Sequence, residues 1–297
     1  MDTLDFVYDP FCEKQFWNTT NINTGGLTNP LCALTGLFMT VMAIYPRSII
    51  TDSHELDITL SLFLFILCKA SLAVVGVGTL FFHLYDDQSD VKEFNFRMAD
   101  RFTMVLMCMD IFILYFVKLF PKFSEKFLTI FFFCMYVYVS CIVLAVDSRT
   151  YEYFTLQWKD NQNGGQNVYE TSMNAPMLLP LAFVLAAALY YKEGIARQRV
   201  AWTVVLISIN VAMWLGNSYG CRNLPVLFVF HALFHILIAY TFVFAACVGM
   251  TLDGEWDLVM CECGWPMIEQ ADSDDDCSDD LRSGFIRNPC AVRIRCT

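Results

Sequence analysis

Charge is scarce in this chain. Asp, Glu, Lys and Arg supply 16% of its 297 residues, against about 25% in an average soluble domain. Basic residues are the scarcer kind: 19 Lys and Arg stand against 30 Asp and Glu, for a net charge of −11. Without clustered Lys and Arg there is no surface to neutralise a phosphate backbone, which excludes a nucleic-acid partner. No internal repeat with a period of about 20–50 residues is present. The amino end, MDTLDFVYDPF, lacks the basic segment and apolar core of a cleavable signal peptide. The first apolar segment is therefore expected to act as its own insertion signal.

Apolar side chains are what the chain has. They make up 57% of it, and Phe alone contributes 27 residues. A soluble fold of this length cannot bury so large a fraction. A disordered chain, a small disulfide scaffold and an ordinary cytosolic enzyme are excluded, and an integral membrane protein is the class that remains.

A membrane helix needs about 20 mostly apolar residues in a row. Seven stretches approach or meet that length: 27–45, 58–83, 99–120, 127–146, 175–191, 200–215 and 226–250. The first is short and carries Thr35 and Thr40; the sixth carries Asn210. The expectation is an all-α membrane protein, a seven-transmembrane helix bundle, with a head at 1–26 and a tail at 251–297. The tail holds eleven Asp and Glu against four Arg. Its run at 272–280, DSDDDCSDD, is low-complexity and acidic, so the whole segment is read as a solvated, disordered tail. Cys261 and Cys263 form a C-x-C pair with no second pair at metal-binding spacing.

Seven spans put the termini on opposite sides. The three short loops on the tail side hold Arg47, then Lys118, Lys122 and Lys126, then Lys192, Arg197 and Arg199. As many basic residues on the head side are spread over more than twice the length. Positive charge in short loops marks the cytosolic face, so the head is lumenal and the tail cytosolic. Asn18-Thr19-Thr20, a glycosylation sequon, falls on the lumenal side.

There are four histidines, and three of them sit at the ends of expected spans. His83 closes the second; His231 and His235 open the seventh, four residues apart and so on one helix face. The third span opens with Asp100. The alternation of spans brings all four to a similar depth near the lumenal face. Ionisable groups in a membrane are costly and face partners in the bundle interior. Three imidazoles and a carboxylate at one level point to an intramembrane zinc site, with three protein donors and a fourth position for water, as in catalytic zinc. Asp100 would take the proton from that water or orient it. Two plainer readings stand beside it: imidazoles hydrogen-bonded to neighbouring hydroxyls or backbone, and zinc held for stability alone. Deeper in the bundle, Lys69 and Asp110 are placed to meet as an ion pair between the second and third spans.

GVGTLFFH (76–83), Ala99-Asp100 and FHALFH (230–235) resemble the three motifs of the alkaline ceramidase family, part of the CREST superfamily of seven-span membrane hydrolases that also holds the adiponectin-receptor family. The pattern there is Ser-x-x-x-His at the end of span two, Asp at the start of span three and His-x-x-x-His at the start of span seven. The resemblance implies His83, His231 and His235 as zinc ligands and Asp100 and Thr79 as catalytic residues, Thr79 standing where the family has Ser. Asp9-Pro-Phe-Cys12-Glu13 in the head and Trp214-Leu-Gly-Asn217-Ser-Tyr-Gly-Cys221 after span six are similar to features of the ceramidase branch. They imply a lumenal disulfide between Cys12 and Cys221, and a calcium site beside the head to which Glu13 corresponds and Asp9 is offset by one residue.

The chain departs from the family at Thr79, at Asn217 where the family has Asp, in a longer connection between His83 and Asp100, and in a long loop at 147–174. The resemblance covers about 9–250. It implies a ceramidase-like domain at 27–250 in the endoplasmic reticulum or Golgi membrane that cleaves the N-acyl bond of ceramide-type lipids. The alternative it leaves open is a zinc-stabilised seven-span receptor of the adiponectin-receptor type with little or no turnover.

Overall fold

The computed structural model describes residues 13, 29–44, 49–50, 59–84, 91–123, 126–137, 140–141, 179–220, 224–261, 264–270 and 294–295. Among them are seven helices of ten residues or more. They are α1 (Pro30–Ile44), α2 (Leu60–Leu84), α3 (Val91–Leu119), α4 (Lys126–Val137), α5 (Leu179–Tyr191), α6 (Gly194–Gly220) and α7 (Phe228–Met250). Each overlaps one of the seven segments expected from hydropathy, and α3 and α6 extend well beyond theirs. Four helical stretches, Leu60–Leu84, Phe102–Leu119, Gly194–Asn217 and Phe228–Asp253, are long and apolar enough to cross a membrane; α1, α4 and α5 are shorter. The outer face of α1 shows why water is the wrong solvent. Leu34, Leu37, Phe38, Val41 and Ile44 are exposed while Cys32, Thr35, Gly36, Met39 and Ala43 are buried, and a continuous exposed apolar face is stable only against hydrocarbon or a partner.

The chain divides into two compact units. The first comprises 1–45, 70–103 and 205–241. In it α1 and α2 meet backbone to backbone. A Cβ placed on Gly36 would lie 2.7 Å from Leu80 N and 2.9 Å from Gly76 O; one on Gly76 would lie 2.6 Å from Thr40 N and 2.7 Å from Gly36 O. Small residues permit this approach, which supplies the packing that drives helix association in lipid. Thr40 Oγ1 reinforces it from 3.4 Å of the Ala73 carbonyl across the contact. Between α6 and α7, Asn210 Nδ2 donates to Thr241 Oγ1 at 2.7 Å, so the polar residue that weakened the sixth span as an apolar segment is a buried inter-helix link.

The second unit comprises 46–69, 104–204 and 242–297. Every residue of α7 from 242 to 250 is buried, as expected of a helix apolar on all sides. Gly249 lets α3 pack against it: a Cβ there would meet the Tyr115 ring at 2.8 Å. On α5, Leu181, Val184, Leu185 and Ala188 form the buried stripe at helical spacing. Phe132 of α4 packs edge-on against Phe112 and Phe116 of α3. Tyr136 Oη of α4 donates to Oδ1 of the buried Asp110 of α3.

The fold is mostly helical but not all-α. A 3-10 turn (Thr251–Asp253) follows α7 and leads into a four-stranded sheet in the order β1-β3-β2-β4. Its strands are β1 (Ile49–Ile50), β2 (Trp256–Cys261), β3 (Pro266–Gln270) and β4 (Ile294–Arg295). β2 and β3 pair antiparallel with Leu258 opposite Ile268; β1 runs parallel to β3 and β4 parallel to β2. The first part of the acidic tail is thus ordered, contrary to its composition. Trp256, Val259, Trp265, Met267 and Ile268 are buried, and their apolar area outweighs the charges averaged around them. The segment is tied down by Lys118 at the end of α3, whose buried ammonium bridges Asp253 and, at 2.8 Å, Glu255. A second correction concerns the connection between His83 and Asp100. Its latter part is helical, because α3 begins at Val91 and Asp100 lies well inside it.

Candidate metal centre

Three helix ends build the site. Cys32 is in the first turn of α1, His83 is the penultimate residue of α2, and His231 and His235 occupy the first two turns of α7. All four are buried, and their ligand atoms (one Sγ and three imidazole nitrogens) lie within 4.8 Å of one another. The rings of His231 and His235 are 4.4 Å apart; His83 stands 5.3 Å from His231 and 5.2 Å from His235. The ends of α1 and α2 are joined where the site forms, for the Asn29 N–H donates to the His83 carbonyl at 3.2 Å.

Hydrogen bonding fixes the form of one imidazole. The Thr35 hydroxyl donates to the Cys32 carbonyl at 2.7 Å and lies 2.9 Å from His235 Nδ1. With the hydroxyl proton on the carbonyl, the hydroxyl oxygen is an acceptor for Nδ1–H, and in that tautomer the Nε2 lone pair of His235 is available to a metal. A donor that fixes the ring through its second nitrogen is the usual support of a metal-bound histidine.

The donor set fits a metal ion. One thiol and three imidazoles are the N/S chemistry preferred by zinc and its neighbours, and four donors suit a tetrahedron. Ideal zinc bond lengths place tetrahedral donors about 3.3–3.8 Å apart. Binding would therefore contract the widest separation, at most 4.8 Å, by up to about 1.5 Å.

The structure brings together His83, His231 and His235, as the sequence predicted, and adds Cys32. Thr79 is buried one turn before His83, on the same face of α2, with its Cβ 3.1 Å from the position a Gly36 side chain would take. Asp100 lies on α3 with its side chain outside the described residues, as are Asp9, Cys12 and Cys221. Asn217 is buried on α6. Glu13 is wholly buried. Its two carboxylate oxygens accept the N–H groups of Leu31 and Cys32 at 2.6 and 3.1 Å, capping α1.

Cys32, Thr35 and the capping role of Glu13 were missed in the sequence. Cys32 was legible by the argument that gathered the histidines: it lies at the start of the first expected span, and alternating spans would put that end at the level of the ends that carry His83, His231 and His235. No family model and no curated protein matches the chain. The fold and the site define a helical integral membrane protein with a buried Cys–His group able to hold a metal ion.

Proposed function

We propose that the chain is a seven-span zinc amidohydrolase that cleaves the N-acyl bond of ceramide-type sphingolipids, giving a sphingoid base and a fatty acid. The convergence of His83, His231 and His235 in one buried group carries this reading, and the motif resemblance supplies the substrate class. Zinc held there would supply Lewis-acid polarisation of the amide carbonyl and activation of water. Asp100 would take the proton that the water releases and pass it to the leaving amine nitrogen as the C–N bond breaks. The Thr79 hydroxyl donates to the carbonyl oxygen as negative charge develops on it. A buried site suits a lipid that arrives laterally with its chains already in hydrocarbon.

Cys32 favours a second reading. Four protein donors close the coordination sphere as in structural zinc sites, whereas hydrolysis needs a position left for water. A zinc-stabilised seven-span receptor needs no such opening. Detergent-purified wild type, His83→Ala and Cys32→Ala, incubated with a panel of ceramides and followed by mass spectrometry, separate the two. Sphingoid base and fatty acid released together by wild type and not by His83→Ala are the expected result. Zinc in wild type with no product from either wild type or Cys32→Ala would establish the closed, non-catalytic reading.

A further inference from the structure

The start of α1 is held by a residue far from it in the chain. A helix leaves its first N–H groups without intrahelical acceptors, and local side chains ordinarily satisfy them. Here Glu13, 18 and 19 residues away, takes two: Leu31 N–H on Oε1 and Cys32 N–H on Oε2. The carboxylate is wholly buried, and its negative charge sits at the positive end of the helix dipole. One of the two residues it grips is the thiol donor of the metal group. On the other side, the Asn29 N–H is held by the carbonyl of His83. Cys32 thus reaches the three histidines from a helix turn clamped between Glu13 and the end of α2.

We propose that Glu13 is the positioning residue of the metal centre. Its carboxylate fixes the first turn of α1 so that Cys32 completes a four-donor group, and without it the group is reduced to three histidines. The proposal rests on the reading of this group as a metal site and adds to it a control of donor number. With Glu13 in place the resting centre has four protein donors; release of the turn opens the fourth position to water, the state that hydrolysis needs. Glu13 thereby controls the passage from the closed resting centre to the open one that hydrolysis uses.

Cobalt(II) tests this without reference to turnover, because a thiolate bound to cobalt gives a near-ultraviolet charge-transfer band that imidazoles do not. Full-length wild type, Glu13→Ala, Glu13→Gln, Cys32→Ala and Lys118→Ala are purified in detergent, stripped of metal and loaded with cobalt. Wild type is expected to show the band, and Cys32→Ala to lose it while keeping bound cobalt. Glu13→Ala should lose most of the band at full cobalt occupancy. Glu13→Gln, which keeps one acceptor and the shape of the side chain, should give an intermediate band. Lys118→Ala, which breaks the ion pairs to Asp253 and Glu255, controls for general destabilisation and should keep the band.

A full band in Glu13→Ala overturns the proposal, as does a comparable loss in Lys118→Ala. If Glu13→Ala does not fold, a full band in Glu13→Gln overturns it equally. Cobalt bound by wild type without the band removes Cys32 from the donors and the proposal with it, leaving a three-histidine site. No cobalt in wild type overturns the metal reading itself.

Discussion

Alanine at His83, His231 or His235 is expected to weaken zinc binding by roughly 100-fold or more. A structural zinc site contributes about 10–16 kcal/mol of apparent binding free energy over its four donors. One donor therefore accounts for about 3 kcal/mol, and each 1.4 kcal/mol is tenfold. Competition against a chromophoric chelator measures the loss directly. Thr35→Val should cost less, about 10-fold, because it removes the hydrogen bond that fixes the His235 tautomer and leaves all four donors in place. Because a bound metal stabilises only the folded state, the thermal transition of each histidine variant should stop responding to added zinc over the range where wild type responds. Unchanged zinc affinity in all three histidine variants would show that the cluster is a packed set of imidazoles and not a metal centre.

The second large effect is steric. Gly76→Ala is expected to destabilise the protein by about 3 kcal/mol or more, at or beyond the upper end of ordinary overpacking. The added methyl would fall 2.6 Å from Thr40 N and 2.7 Å from Gly36 O. Both are backbone atoms, so no rotamer change relieves the contact and α1 must move away from α2. That displacement separates the helix carrying Cys32 from the helix carrying His83. Zinc affinity should therefore fall together with stability, though none of the four donors is altered. Gly216→Ala is the control: its nearest neighbour is a Phe230 ring carbon at 3.2 Å, a side chain that can turn aside, so the cost should stay near 1 kcal/mol. Thermal unfolding in detergent with parallel metal analysis checks both. A Gly76→Ala protein as stable as wild type would contradict the backbone contact between α1 and α2.

The sequence made the helices legible because hydrocarbon imposes one dominant requirement, a long apolar run, and composition shows such runs directly. Even the weak segments resolved into helices: Thr35 in α1 and Asn210 in α6 are buried, Thr40 is half-buried, and all three serve inter-helix bonds. The histidine site was legible for a related reason, since alternating spans fix the depth of whatever lies at their ends. Cys32 obeys the same rule but carries no signal of its own, because cysteine is common in buried apolar segments and brings no charge. Glu13 could not be read as a helix cap, because its partners lie 18 and 19 residues on and no local capping pattern reaches that far. The sheet was hidden by averaging. Two short apolar strands around Cys261 and Gly264 sit in a segment whose net charge reads as tail, and Lys118 neutralises part of that charge from another element.

The account turns on one centre with one sulfur and three nitrogen donors. X-ray absorption at the zinc edge of the wild-type protein, purified without added chelator and analysed in parallel for metal content, addresses it most directly. The predicted result is close to one zinc per chain, with a first shell of one sulfur at about 2.3 Å and three nitrogens at about 2.0 Å, the sulfur absent in Cys32→Ala. Protein that holds no zinc and takes none up on reconstitution, or zinc in a shell of oxygens without imidazole scattering, would contradict it.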